Sequence, residues 1–378
     1  MTAVLRQWGI WVGLVMLTGC QPTLTEGDRE FLESQRTPRT RVTEYSTALK
    51  RLGRIINKGG GGTARTFQVK PITNQSGGEG IPFNVTEMVI TSIQNLSGNA
   101  LYVVPHYFDY ESQDAVLNTG TQVRKRRKPD IVIAGAITEF DQDISVEDSA
   151  FDINLFGPLS IEGEDLDPEI EYAFDHAKSI SRIALDLRLM NYDSTVFYPG
   201  KQVSNTIVVA EVERGSSLGF MIYGSGISRS GRIAVRQGLH QAVRNLIDYS
   251  MLQLMGIQYT IPFWKTLDNR HDSLGQEYLA EWRQEFLNID EPMKVGRIQA
   301  WLLNYDLGPV YVDGTLYQEI PKSEYGKFQR ITQAFALKYL YEYAPHSSLI
   351  SDIEQSNTFL SADMLVTLYM MLIETLPL

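Results

Sequence analysis

The alternation of short apolar runs with amphipathic stretches across residues 65–256 constrains the fold of this chain most. Residues 66–70 and 101–105 are typical of short strands, and residues 130–138 form a nearly all-apolar run, as expected of a strand that is buried on both faces. Residues 181–190 alternate apolar and polar side chains, which predicts a strand with one wet face. This order of elements indicates an α/β fold with a mixed sheet and flanking helices.

Two amphipathic helices are predicted beside this sheet. The first opens on a capping-box pattern at residues 84–87, and its apolar residues share one stripe: Val85, Val89, Ile93 and Leu96. The second covers residues 232–255 with an apolar inner side, and Gly256 is well suited to end it.

Residues 1–19 are similar to a secretory signal. Arg6 supplies a positive charge, residues 8–16 form an apolar run too short to span a bilayer comfortably, and small residues precede Cys20, the only cysteine. This pattern is similar to the lipobox of bacterial lipoproteins, and it predicts that Cys20 becomes the acylated N-terminus. The alternative is an ordinary secretory signal with a coincidental cysteine. Because Gln21 rather than an aspartate follows, we expect a lipid anchor in the outer membrane, facing the periplasm.

The composition narrows the possible partners. Asp and Glu number 45 against 34 Lys and Arg, so the net charge is −11, which argues against nucleic acid as a main partner. After the signal, no run approaches the roughly twenty apolar residues that a membrane-spanning helix needs. Any crossing of a membrane would therefore use β-strands in a closed barrel.

The segment after the signal is polar. We interpret residues 20–64 as the acylated N-terminus and a linker close to the lipid, since they end near four consecutive glycines at 59–62. A phosphate-binding loop would need a Lys-Ser/Thr pair after the glycines, and none follows.

Two further stretches, residues 139–180 and 192–231, do not fit a soluble α/β scaffold and are predicted to form β-hairpins. In the second, six apolar residues share one parity on the two sides of a turn at 214–216: Val208, Ala210, Val212, Leu218, Phe220 and Ile222. The alternation has about the length of a membrane strand, so these six residues are candidates for facing lipid. The alternation is imperfect, because the apolar Val209 and Met221 fall on the polar side. The alternative is a pair of long soluble hairpins that pack on neighbouring subunits.

The first stretch alternates more weakly. Phe151, Ile153 and Leu155 are separated by polar residues, but the pattern ends in the acidic run 162–167. A solvated acidic loop explains these carboxylates better than acid–base catalysis does, and weak calcium binding is the other reading.

With these elements, the chain resembles the curli secretion channel (CsgG-like) family over residues 65–262. The resemblance depends on these stretches: residues 72–77, 86–91, 131–137, 181–190 and 232–255. Members of that family are lipoproteins that assemble into rings, in which each subunit donates two hairpins to one shared barrel in the outer membrane. The resemblance therefore implies that both hairpins contribute to an oligomeric transmembrane β-barrel.

The barrel interpretation requires a homo-oligomer. Two hairpins from one subunit cannot close a barrel, and their open edges would leave unpaired backbone groups in lipid. A ring of identical subunits removes those edges.

The resemblance also implies a constriction loop, for which Phe83 and Asn84 are the candidates by position. The local loop, residues 77–84, is shorter than in the family, and the acidic insertion at 162–175 is a second departure. The alternative is that Phe83 is a hydrophobic staple and Asn84 only a helix cap.

Residues 263–290 are interpreted as a connecting helix with Trp282 and Phe286 on one face, and residues 291–378 as a separate all-α unit. That unit resembles the three-helix peptidoglycan-binding module of cell-wall enzymes in residues 297–303, 307–314, 328–329, 334–335 and 361–368. The resemblance implies ligand contacts at Trp301, Tyr311, Asp313, Gly314, Phe328 and Gln329. A longer first turn and the polar stretch 344–359 depart from the module, and the alternative is that the unit packs between subunits.

Enzyme motifs lack the required context. Residues 215–219 match G-x-S-x-G, but a nucleophile elbow needs a helix after the serine, and residues 220–223 are strand-like. The five histidines are scattered, without a pair at metal-ligand spacing. We therefore expect no catalytic residue, no metal and no cofactor.

The basic run 124–128 is interpreted as a solvated turn, or as a contact with anionic lipid, glycan or a neighbour's acidic loop. The sequence as a whole predicts a non-enzymatic, homo-oligomeric secretion channel in the outer membrane, anchored to the cell wall. Its expected partners are copies of itself, outer-membrane lipid, peptidoglycan, an exported protein subunit and accessory envelope proteins. The alternative is a lipid-tethered periplasmic ring or scaffold around a larger machine, such as a flagellum or a secretion apparatus, without a membrane barrel.

Overall fold

An eight-stranded mixed sheet organises the first part of the structure. The computed structural model describes residues 43–376 apart from these gaps: 44, 60–64, 79, 97–100, 105–127, 146–176, 213–216, 225–228, 235–237, 268–274, 308–324 and 357–359. The strands are β1 (Arg65–Val69), β2 (Thr73–Asn74), β3 (Leu101–Val104), β4 (Ile131–Ser145), β5 (Ala177–Asn191), β6 (Phe197–Val212), β7 (Ser217–Gly224) and β8 (Arg229–Ala234).

The order of strands across the sheet is β3-β1-β4-β5-β6-β7-β8, and the short β2 also pairs with β4. β1 is parallel to β3 and β4, and β2 is parallel to β4. From β4 to β8, each strand is antiparallel to the next. The predicted α/β class with a mixed sheet is confirmed.

Helices flank the sheet and form the C-terminal part of the described chain. They are α1 (Ser46–Gly59), α2 (Thr86–Asn95), α3 (Gly238–Tyr259), α4 (Gln276–Leu287), α5 (Glu291–Asn304), α6 (Tyr325–Tyr343), α7 (Leu349–Gln355) and α8 (Ala362–Glu374). A 3₁₀ turn at Phe263–Thr266 follows α3. The helix predicted over residues 232–255 begins later, at Gly238, because Arg229–Ala234 is strand β8 and pairs with β7.

Helix α3 packs across one face of the sheet and closes the main core. Ile183, Ile207 and Ile222 form one row across three adjacent strands on that face, and each is fully buried. A polar contact joins the same two layers, since the Asn205 amide donates to Gln253 Oε1 at 2.8 Å. The predicted apolar stripe of α2 is also confirmed, because all four of its residues are buried: Val85, Val89, Ile93 and Leu96.

Helix α1 lies within the segment that was interpreted as a linker, residues 20–64. Leu49, Leu52 and Ile56 are buried on one side of it, at the spacings of three and four residues that a helix repeats. The polar composition of the whole segment hid this stripe. The linker interpretation therefore fails for the part of the segment that forms α1.

Aromatic contacts hold the C-terminal helices together. Phe286 of α4 stacks on Tyr369 of α8 with ring centroids 4.0 Å apart, and Trp301 of α5 meets Tyr369 edge-on at 6.4 Å. Trp282 of α4 stacks on Trp264 at 5.5 Å, which ties α4 to the turn after α3. The predicted common face of Trp282 and Phe286 is confirmed, because both side chains are buried.

The two ends of the sheet have different surroundings. At one end, where β6 begins, Lys201 donates to the Ile257 carbonyl at 2.8 Å, and a Cβ on Gly200 would lie 3.7 Å from Glu281 of α4. At the other end lie the last residues of β4 and β6 and the first residues of β5 and β7. The helical region therefore meets the sheet at the end opposite to Ser145 and Ala177.

Candidate assembly surfaces

The predicted hairpins are continuous with the core sheet. β6 pairs with β5 from Ala177↔Val212 to Met190↔Phe197, so the same two strands serve the core and the predicted hairpin region. β4 and β5 likewise pair from Ile131↔Asn191 out to Ser145↔Ser179. The four strands β4 to β7 thus form one antiparallel block.

The register of β6 and β7 contradicts the predicted lipid-facing row. Val208 pairs with Met221, and Val209 pairs with Phe220. Residues that are directly opposite one another in an antiparallel pair lie on the same face, and neighbours along a strand alternate. The two halves of the row therefore lie on opposite faces, with Val208, Ala210 and Val212 on one face and Leu218, Phe220 and Ile222 on the other.

The prediction failed because parity was counted across the turn. Each pair in this hairpin joins an even-numbered residue to an odd-numbered one, so residues of equal parity on the two arms face opposite ways. Burial agrees with the register: Ile222 is 0% exposed inside the core, and Val208 is 4% exposed on the other face. Both side chains are therefore buried within the subunit.

Among the described residues, three strand sides have no strand partner: the side of β3 away from β1, the side of β4 beyond Ile137, and the side of β8 away from β7. On the side of β4 away from β5, the strand pairs extend from Ile131 to Ile137, and the rest of β4 has no strand partner there among the described residues. At the far side of the sheet, β8 pairs with β7. An unpaired edge presents rows of N–H and C=O groups that favour strand addition.

A hydrogen-bonded loop lies beside Phe140 of β4. The Asn74 amide donates to the Gly78 carbonyl at 2.8 Å, and its Oδ1 accepts from the Ser76 N–H at 3.0 Å. Gly78 faces Phe140 of β4 so closely that a Cβ would lie 2.4 Å from the ring. The loop is closed at its base, where the Asn74 N–H donates to the Phe83 carbonyl at 2.8 Å.

Phe83 and Asn84, the constriction candidates, follow this loop. Phe83 is 73% exposed, so the alternative interpretation as a hydrophobic staple is wrong. The Asn84 Oδ1 accepts from the Thr86 N–H at 2.9 Å, whereas Val85 occupies the N-cap position of α2 and makes no side-chain cap. The N-cap of α2 therefore lies one residue later than the capping box predicted, and Asn84 supports the start of the helix by a turn just before that N-cap.

The peptidoglycan-module candidates lie only partly within the described residues. Trp301 is 6% exposed and belongs to the core between α5 and α8, which argues against its predicted role in ligand contact. Phe328 and Gln329 are part of helix α6. Three other candidates lie outside the described residues: Tyr311, Asp313 and Gly314. Cys20 also lies outside them.

A cluster of charges at the start of β6 was not predicted. Burial lowers the pKa of the Lys201 ammonium, Glu285 and Glu281 partly oppose that shift, and Arg297 adds to it. Arg297 in turn donates to Glu285 at 3.0 Å. Because Lys201 also bonds the Ile257 carbonyl, the cluster connects β6 to α3, α4 and α5.

A second buried charge lies on α3. Burial raises the pKa of the Asp248 carboxyl, while hydrogen bonding and the charge of Arg244 partly offset the shift. Thr43, at the start of the described chain, donates its hydroxyl to Asp248 at 2.5 Å. This bond ties the N-terminal segment to the helix that covers the sheet.

A groove between α4 and α8 also escaped the sequence analysis. It has a volume of about 410 Å³ and is lined by Gln276, Leu279, Ala280, Arg283, Val366, Thr367, Met370, Met371 and Glu374. The signal was the pattern on α4, in which Gln276, Leu279, Ala280 and Arg283 recur at spacings of three, one and three residues.

Comparisons with known proteins do not place the chain in a family: no family model matches it, and neither does any curated protein. None of the helices in the described part of the chain is long and apolar enough to cross a membrane. The described residues contain no group of three His, Cys, Asp or Glu side chains that could hold a metal ion. The G-x-S-x-G pattern runs directly into strand β7, which begins at Ser217.

Proposed function

We propose that this protein is the subunit of a lipid-anchored, homo-oligomeric ring in the periplasm that acts as a scaffold around a larger envelope assembly. The observation that carries the proposal is the burial of Ile222 and Val208 within the subunit, on opposite faces of the sheet. A subunit that buries Ile222 in its core and Val208 on the other face of the sheet has no use for lipid at either position. The hairpin region then serves contacts between protein surfaces.

Ring assembly would use two of these edges. The outer part of β4, beyond Ile137, lies on one side of the sheet, and β8 lies on the other. The two edges differ in sequence, so the contact between subunits would be head-to-tail, and a head-to-tail contact closes into a ring when the rotation allows it. Each added subunit would leave one β4 edge and one β8 edge for the next subunit until the ring closes.

The different structures at the two ends of the subunit agree with a position between membrane and wall. The helical region meets the sheet at the Lys201 end, and the loop with Phe83 lies at the other end, next to Phe140. With the predicted acyl anchor at Cys20 in the outer membrane, the helical region is free to face the cell wall. The expected partners are therefore neighbouring subunits, lipid at the anchor and peptidoglycan.

The test is made on the mature, acylated chain in mild detergent. Projection images from electron microscopy are expected to show closed rings, and the same rings in planar bilayers are expected to give no conductance. Cys20 is the only natural cysteine, so Ile222→Cys and Phe83→Cys each add one reporter thiol. We expect Phe83→Cys to react with a water-soluble maleimide and Ile222→Cys to react with neither that reagent nor a lipid-phase maleimide. A well-behaved monomer would end the proposal.

A second candidate function is the secretion channel. It is favoured by the block of four adjacent antiparallel strands, whose ends lie together beside the loop that presents Phe83. In that case intact rings conduct, and Phe83→Ala increases the conductance because the side chains at the narrowest point become smaller and the opening widens. The conductance of intact rings separates the two candidates without knowledge of the cargo.

A further inference from the structure

The groove between α4 and α8 has an apolar base. Leu279 and Val366 are buried at its base, while Met370 and Met371 are partly exposed along it. Methionine side chains are flexible and polarisable, so such a base adapts to small aliphatic groups of different shape. The volume of about 410 Å³ lies in the range of small-molecule and peptide sites.

Three contacts show that α4 and α8 run antiparallel along the groove. Lys265 donates to the backbone carbonyl of Glu374, and the neighbouring Trp264 lies against Gly275, just before α4 begins. Further along, Phe286 of α4 stacks on Tyr369 of α8. The C-terminal end of α8 therefore lies beside the N-terminal end of α4.

This arrangement places opposite charges at the two ends of the groove. Glu374 lies at the same end of the groove as Gln276. Arg283 lies at the other end, about two turns further along α4. Both charged side chains are exposed, and neither forms an ion pair or a side-chain hydrogen bond within the described part of the chain, while the Lys265 ammonium is bound to the backbone carbonyl of Glu374. A ligand can therefore reach both charges without first breaking a protein contact.

The length of the groove limits the ligand. Seven residues of helix separate Gln276 from Arg283, which is about 10 Å at a rise of about 1.5 Å per residue. An extended peptide covers the same distance with about three residues. We infer that the groove binds a short, small-side-chain peptide with a free ammonium group at the Glu374 end and a free carboxylate at the Arg283 end.

The inference deepens the proposed wall-anchoring role and rests on it for the source of the peptide. The peptides that cross-link peptidoglycan are short, carry small aliphatic side chains and have free ammonium and carboxylate groups. The groove would thus hold the wall through its peptides rather than through its glycan strands. The connecting helix α4 supplies half of this site, so the site extends beyond the unit formed by residues 291–378.

The first test is calorimetric titration of the full mature chain with tri-alanine, which has both free charges, and with N-acetyl-tri-alanine amide, which has none. We expect saturable binding of tri-alanine and about hundredfold weaker binding of the blocked peptide, the loss that corresponds to two charge-assisted hydrogen bonds. Arg283→Gln and Glu374→Gln should each weaken tri-alanine binding about tenfold, the loss that corresponds to one such bond. Lys338→Gln, a matched charge loss on the exposed side of α6, should leave the Kd unchanged.

Met370→Trp provides a variant that fills the groove and keeps both charges. We expect it to abolish tri-alanine binding while the far-ultraviolet circular dichroism and the thermal midpoint stay close to those of the parent chain. The assignment is overturned if tri-alanine shows no saturable binding, if the blocked peptide binds equally well, or if Arg283→Gln and Glu374→Gln bind like Lys338→Gln.

A second test identifies the source of the peptide. The chain is sedimented with intact cell-wall sacculi and with sacculi whose peptides have been removed by an amidase, and we expect sedimentation with the intact sacculi alone. Equal sedimentation with both preparations would overturn the peptide assignment and keep wall anchoring. Sedimentation with neither would overturn wall anchoring, while the tri-alanine titration would still decide whether the groove binds peptides.

Discussion

Gly53 of α1 lies directly against the carbonyl oxygen of Leu96, so that a Cβ on Gly53 would fall 1.4 Å from that oxygen. Helix α1 can cross the end of α2 at this distance only because the side chain is absent. The close crossing brings Leu49, Leu52 and Ile56 into the core.

We therefore expect Gly53→Ala to destabilise the fold, although alanine favours a helix by about 1 kcal/mol over glycine. Overpacking against a backbone carbonyl should lower the free energy of unfolding by about 3 kcal/mol, measured by urea denaturation. Gly77→Ala is the control, because Gly77 has a φ of 75° and no neighbour near its Cβ position. It should cost only the backbone strain, about 1–2 kcal/mol, and an equal loss for the two variants would contradict the close crossing.

The register of β6 and β7 predicts which cysteine pairs form a disulfide. Val209 and Phe220 are directly paired, so their Cα atoms lie about 4.5–5.5 Å apart, which suits a disulfide. The double variant Val209→Cys, Phe220→Cys should lose both free thiols on mild oxidation. Val208→Cys, Phe220→Cys should keep them, because those side chains point to opposite faces. The reverse result, scored by thiol titration, would restore the single lipid-facing row.

Trp301 separates a core role from a ligand-binding role. The side chain is buried against Tyr369, so Trp301→Ala should lower the free energy of unfolding by about 3–5 kcal/mol, measured by urea denaturation. Trp301→Phe keeps an aromatic ring and should cost less. A fully stable Trp301→Ala chain that no longer sediments with cell-wall sacculi would instead show a ligand contact.

The buried Asp248 carboxyl predicts a dependence of stability on pH. The pKa of this carboxyl in the folded chain is raised above 3.8, the ordinary value for an aspartate. The folded chain therefore keeps this proton to a higher pH than the unfolded chain does. The contribution of the group to stability is largest below the unfolded pKa and falls as the pH rises through the folded pKa. Asp248→Asn removes that fall and retains an acceptor for Thr43.

The measurement compares urea unfolding of Asp248→Asn and the parent chain at several values from about pH 4 to about pH 8. The stability of the variant relative to the parent should increase steadily toward neutral pH. Asp363→Asn, on the exposed start of α8, is the charge-matched control. A difference between variant and parent that is constant with pH would show that the Asp248 carboxyl does not change its pKa on folding.

The sequence predicted elements more reliably than their mutual placement. Local periodicity located α2, α3 and the long strands, because a repeated apolar position is visible along one segment. The prediction that Val208 and Phe220 share a face was wrong, because the face depends on the pairing across a turn, which no local pattern records. The role of Trp301 could not be predicted for a similar reason. A tryptophan suits both a core and a binding surface, and only its contact with Tyr369 places it in the core.

The groove shows what a single segment cannot reveal. Arg283 and Glu374 are separated by ninety-one positions in the chain, and only the antiparallel packing of α4 on α8 places them at the two ends of one site. Their charges were visible in the sequence, but nothing marked them as a pair. Helix α1 is the opposite case. Its apolar stripe is visible in one segment of the sequence, but the polar average composition of residues 20–64 led to the linker interpretation.

β6 also has a mechanical consequence. It runs without interruption from Lys201, which is bound to the end of α3, to Val212 at the other end of the sheet, and it is bonded to β5 along that length. A pull between the two ends acts parallel to the strands, so the interstrand hydrogen bonds bear it together and must yield as a group. A pull across the strands would open them one at a time. The subunit is therefore built to resist stretching along the axis that joins its two ends.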